Sequence, residues 1–192
     1  VDLKNFSMRW WRLRATLKGL VIHGREPAGT APFLAVEELQ LGLRVDSLWS
    51  RKISLDDAIV RAPRIHARIE KDGSMNFPSP PRTNTRPGLS RAQLFDLRVR
   101  KIEITGGWVL YNDVRVPLAV EGGTLRFTLD AAGAPADAIY LGALDWQELS
   151  VTAQRYFPLP VHLSAKFALH RDSLAIEQAI VRLAGSQFGA RV

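Results

Sequence analysis

The chain has 192 residues, enough for one large β domain or two small ones, and its 46% hydrophobic and 23% charged residues exclude a disordered chain. It has no cysteine, which excludes disulfides, Cys-ligated zinc, iron–sulfur clusters and thiol catalysis, and no apolar run approaches the about 18 residues of a membrane span. A net charge of +7 favours anionic partners: lipid head groups, nucleic acid or an acidic protein.

Apolar residues at every second position run through most of the chain, the signature of strands with one apolar face. Residues 13–22 predict the first strand, with Leu13, Ala15, Leu17 and Val21 on one face and Gly24 opening a turn. A Pro/Gly/Ala loop over 25–32 precedes a second strand over 33–45, where Leu39, Leu41, Leu43 and Val45 alternate. Residues 46–52 predict one helical turn, capped by Asp46, with Leu48 and Trp49 against the sheet edge. Strands over 53–61 and 64–70 are separated at Pro63, which cannot donate to a central ladder, and Lys71-Asp72-Gly73 is a tight turn.

The stretch 74–92, rich in proline and small polar residues, predicts a linker or loop. It divides the chain into a first β unit, 1–73, and a second, 93–192. Strand patterns then follow each other closely: Phe95 to Val99, Lys101 to Ile104, Trp108 to Tyr111, Val114 to Val120 and Thr124 to Leu129. Gly106-Gly107, Asn112-Asp113 and Gly122-Gly123 read as the turns between them. After an Ala/Gly/Pro loop over 130–137, strands are expected at 139–146, 148–154, 159–169, 173–176 and 179–183. This spacing predicts an all-β fold, an elongated and curved antiparallel sheet with almost no helix. A sheet with so long an apolar face must curl, pair or carry a ligand. Starting at Val1 and stopping within a β-like pattern at Gly189-Ala190-Arg191-Val192, the sequence is read as a segment of a longer chain.

Three pieces carry a family resemblance in order. The first is Leu17 to Gly24 followed by Phe33 to Arg44. The second is Leu48 to Leu55, Ile59-Val-Arg-Ala-Pro-Arg-Ile-His66 and Asp72-Gly-Ser-Met-Asn-Phe-Pro78. The third is Ser173 to Ser186. Together they resemble the N-terminal region of the AsmA-like / TamB (translocation and assembly module subunit) family of Gram-negative envelopes, closely over 13–80 and more loosely over 93–192. The resemblance implies a U-shaped, taco-like β groove in the periplasm, anchored to the inner membrane by an N-terminal helix. It also implies that the groove's apolar face shields phospholipid acyl chains moving toward the outer membrane. An outer-membrane β-barrel assembly protein is the implied protein partner.

On that reading the lipid-lining side chains are Leu39, Leu41, Leu43, Ile65, Ile69, Leu125, Phe127, Leu129, Val161, Leu163, Phe167 and Leu169. Without it, the same rows read as the core of a closed sandwich, a scaffold or adhesin-like module with a protein partner. Phe6, Trp10 and Trp11 among Lys4, Arg9, Arg12 and Arg14 suggest a membrane-interface belt.

No catalytic residue and no cofactor is expected. His23, His66, His162 and His170 share no metal-ligand spacing. Asp56-Asp57 and Glu37-Glu38 are adjacent in strands, so their members diverge rather than form a carboxylate dyad. Ser186 lacks the Gly-x-Ser-x-Gly frame of a nucleophile turn. Nucleic acid is not expected either, because Tyr and Phe are not interleaved with Arg as stacking platforms.

Overall fold

The computed structural model describes residues 1–26, 29–44, 55–78, 95, 99–133, 139–153, 157–183 and 185–190. The helical turn expected over 46–52 lies outside the described residues. The strands are β1 (Asn5–Arg9), β2 (Arg14–Ile22), β3 (Leu34–Leu43), β4 (Leu55–Arg61), β5 (Arg64–Ile69) and β6 (Lys101–Asp113). They continue with β7 (Leu118–Ala132), β8 (Ile139–Ala153), β9 (Leu159–Leu169), β10 (Leu174–Leu183) and β11 (Ser186–Ala190). A 3-10 turn, Trp10–Arg12, joins β1 to β2 and closes on Leu13 in the left-handed region.

All eleven strands belong to one sheet, ordered β1-β2-β3-β4-β6-β7-β8-β9-β10-β11, with β5 pairing β3 and β6. The fold is therefore all-β, and its ladders are antiparallel except where β4 and β5 run parallel to β6. A parallel pair needs a long crossover, and residues 70–100 supply it. Strands from both sides of the Pro-rich stretch thus hydrogen-bond within the same sheet.

Strands were expected to be shorter than they are. Gly106-Gly107 and Gly122-Gly123 do not turn the chain; they lie inside β6 and β7. Likewise the segments expected at 139–146 and 148–154 are one strand, β8, and those at 173–176 and 179–183 are one strand, β10. The reason is a phase slip. In β6, Ile102 and Ile104 are even-numbered and Val109 and Tyr111 odd; in β7, Leu118 and Val120 give way to Leu125 and Phe127; in β8, Leu144 and Trp146 give way to Leu149 and Val151. Such a slip looks like a turn in the sequence, but here each is a bulge that lets the strand continue.

The slips line up across the sheet. Left-handed residues Gly19 (φ 62), Ala62 (φ 46), Gly106 (φ 65) and Thr124 (φ 54) occupy neighbouring positions on β2, the β4–β5 junction, β6 and β7. Ala62 N–H donates to Thr105 O at 2.8 Å and Trp108 N–H to Pro63 O at 2.8 Å, so the sheet stays bonded across the junction. A bulge bends its strand and raises its local twist. The aligned left-handed residues and bulges form one transverse seam across the sheet. β9 needs no slip, and the bulge between Trp146 and Leu149 absorbs the offset where β8 meets it.

Candidate functional site: one apolar face

Paired residues in a sheet share a face, so the register traces each row. One row runs Phe6–Leu17–Leu39–Val60–Ile104–Phe127–Leu144–Ala165–Ala179–Ala190, from one edge of the sheet to the other. Beyond the seam a second runs Ile22–Leu34–Ile65–Val109–Gly122–Leu149–Val161–Leu183. Val161 and Leu163 sit two apart on unbroken β9 and pair with Leu149 and Trp146, so both rows lie on the same face. The seam thus keeps apolar side chains together although their numbering changes parity.

Every side chain expected to line the groove lies on this face. Leu39 and Phe127 belong to the first row, and Ile65 and Val161 to the second. Leu125 and Leu163 flank Trp146, while Leu41, Leu129 and Phe167 form the row through Gly142. Leu43 pairs with Leu55, Leu169 with Tyr140, and Ile69 sits beside Asp113 at one rim. Sequence reasoning left out Ile102, Ile104, Val109, Leu144, Trp146 and Leu149, which lie in the same rows. Their signal was the alternation itself, once the phase slips are allowed.

Few of these side chains are fully covered. Leu129, Tyr140, Leu149, Val36, Ile69 and Ala15 are buried, but most of the others are half-buried, and Phe6, Leu159, Leu174 and Phe188 are exposed. Among the described residues, substantial backbone contacts between strands occur only between hydrogen-bonded neighbours. One patch of the face is covered by Phe95 and Val99, which pack with Leu129 and Tyr140. There Phe95 meets Tyr140 edge-on at 4.9 Å between ring centroids, and Tyr140 donates its hydroxyl to Val99 O at 2.8 Å. Burial pushes the Tyr140 hydroxyl above its ordinary pKa.

The opposite face is polar and ionic. Arg14 donates to Asp57 Oδ1 at 2.8 Å and to Gln40 Oε1 at 3.1 Å. Glu38 takes a hydrogen bond from Gln40 Nε2 at 2.6 Å and pairs with Lys18 and Arg61, and these lower its pKa, the Gln40 bond most. His162 Nε2 lies 2.9 Å from Asp145 Oδ2 and its other nitrogen 3.4 Å from Arg182. That hydrogen bond is the main cause holding the Asp145 carboxyl below its usual range. Asp56 and Asp57 separate as expected: Asp57 binds Arg14, and Asp56 binds Arg100 at 2.8 Å.

The Asp72-Gly-Ser-Met-Asn segment is a small structural clasp. Asp72 Oδ1 accepts from Ser74 N–H and Oγ, while the Asn76 side chain accepts from Arg68 N–H at 2.8 Å and donates to His66 O at 2.7 Å. The amide thus bonds to the β5 backbone as a neighbouring strand would.

Phe6 and the two tryptophans do not form one cluster. Phe6 stands beside Leu17 on the apolar face, whereas Trp10 and Trp11 are 72% and 81% exposed on the 3-10 turn. Among the described residues no group of three or more His, Asp or Glu side chains is placed to hold a metal ion. No helix among them is long and apolar enough to cross a membrane.

No family model matches the sequence, and no curated protein is significantly similar to it.

Proposed function

We propose that the apolar face is a groove for phospholipid acyl chains, in a non-enzymatic segment of a periplasmic bridge between inner and outer membranes. One observation carries the reading: a continuous apolar face, half-exposed over most of its rows, crosses the whole sheet from Phe6 to Ala190. A solvent-facing apolar surface of this extent is unfavourable unless something apolar covers it. An acyl chain suits it, since each buried methylene contributes about 0.8 kcal/mol and requires no polar partner. The family resemblance supplies the remainder of the proposal: an inner-membrane anchor, transport toward the outer membrane, and a β-barrel assembly partner. Trp10 and Trp11, beside Arg9 and Arg12, are the proposed contact with the membrane interface.

The test is native mass spectrometry of the protein purified from a bacterial envelope. Co-purified phospholipid is expected, and it should be lost when Leu163→Asp and Phe167→Asp are combined in a protein that keeps its β circular dichroism. A folded, lipid-free wild-type protein would refute the groove and turn the search to protein partners.

A further inference from the structure

The apolar face is not uniformly available. Phe95 is 8% exposed and Val99 3%, and both sit on the half of the face that lies toward Lys101 and Leu169. Leu129 and Tyr140 are buried with them, and Phe127, Phe167 and Leu169 pack against the same cluster. The arrangement is held from several sides. Tyr140 is tied to Val99 O, the Arg171 guanidinium lies 5.5 Å from the centre of the Phe95 ring, and Arg100 N–H and O bond to Asp56 and Ala131. Beyond the seam, Ile65, Val109 and Val161 are half-buried, as is Leu163 beside Trp146, and among the described residues none of them belongs to this cluster.

Resting on the groove reading, we infer that Phe95 is the specificity-determining wall of the acyl site. It occupies the patch over Tyr140 and Leu129, which Phe127, Phe167 and Leu169 border, and it confines a phospholipid tail to the half-buried side chains at and beyond the seam. Leu129, expected from the sequence to line the groove, is therefore taken up by the protein's own cluster, and Phe127, Phe167 and Leu169 stand at its border. The wall also limits tail length, because a chain running along the sheet ends where it meets the ring.

A phospholipid with a diazirine in one acyl tail, in phosphatidylethanolamine/phosphatidylglycerol liposomes, tests this with the full chain by mapping cross-linked peptides. In the wild type, cross-links are expected at Val161, Leu163 and Leu125 and not at Leu129 or Leu169. In Phe95→Ala, cross-links appear at Leu129 and Leu169, and tail binding strengthens about fourfold for each methylene newly covered. Phe95→Leu keeps the wild-type map. Wild-type cross-linking at Leu169 equal to that at Leu163 would overturn the wall while leaving the groove intact, and a folded Phe95→Ala with the wild-type map would do the same. Absence of cross-links anywhere on the face would instead reject the groove itself. The wild-type map is decisive alone should Phe95→Ala not fold.

Discussion

Trp146 lies over Gly122: a Cβ built on Gly122 would stand 2.6 Å from Trp146 Nε1, 2.5 Å from Glu148 O and 2.9 Å from Leu149 Cα. Two of these three atoms are backbone, so they cannot rotate away. Gly122→Ala must push β7 from β8 at the seam, and a loss of about 1–3 kcal/mol is expected. Gly123→Ala is the control, since its new Cβ would meet chiefly the flexible Glu148 carboxylate at 3.1 Å. Thermal denaturation of both variants should show Gly122→Ala melting clearly lower; equal melting temperatures would refute the close approach.

Asp57 is 8% exposed, and its Oδ1 is bonded to Arg14 while its Oδ2 has no hydrogen-bond partner. Removing the arginine takes the hydrogen bond from Oδ1 of this buried carboxylate and leaves Lys101, its neighbour on β6, as a weaker electrostatic partner. Arg14→Ala should cost about 1–3 kcal/mol. In an Asp57→Asn background the same change should cost much less, because no charge is stranded. Urea unfolding of the four proteins in the cycle measures this coupling; strictly additive losses would mean that the pair contributes nothing.

Acid sensitivity should centre on the β6–β7 turn. Asp113 accepts from the Arg115 side chain and from the backbone N–H groups of Arg115 and Val116. These bonds, the Arg115 side chain first, lower its pKa from the ordinary 3.8 to about 2. Since the folded pKa is the lower one, this stabilisation is complete above the unfolded pKa and is lost as pH falls through the folded value. Melting temperature should therefore fall between about pH 4 and pH 2 more steeply in the wild type than in Asp113→Asn. Parallel curves for the two proteins would contradict the assignment.

Much of the sheet was legible because strand side chains alternate with a strict period. β9 was read over its full length: Leu159 to Leu169 hold one phase, and nothing interrupts them. β8 was divided at Gln147, between the strands expected at 139–146 and 148–154, where the apolar alternation changes phase. The glycine pairs of β6 and β7, which read as turns, also stand where the alternation changes phase. What distinguishes a bulge from a turn is the partner strand, and one strand's sequence does not contain its partner's register. The cover over Leu129 was illegible on different grounds. Phe95 has the alternation of a strand residue, and only long-range packing against Tyr140 places its ring on the face.

The seam is testable at Thr124, a β-branched residue at φ 54. Left-handed backbone costs an ordinary L-residue about 1–2 kcal/mol, and glycine adopts it freely at some entropic expense in the unfolded chain. Thr124→Gly should therefore stabilise the protein by about 0.5–1 kcal/mol. Thr124→Pro should do the opposite, because proline holds φ at about −65° and forbids the left-handed slip. If β7 then alternates regularly from Leu118 and Val120, Leu125, Phe127 and Leu129 turn to the outer face and Arg126 to the apolar one. Each large side chain so exposed forfeits roughly 1.5–3 kcal/mol. The Thr124→Pro variant is expected to melt far below the wild type and to bind a hydrophobic dye before it unfolds. A Thr124→Pro variant with wild-type melting and dye binding would show that the offset at Thr124 does not hold the apolar rows on one face.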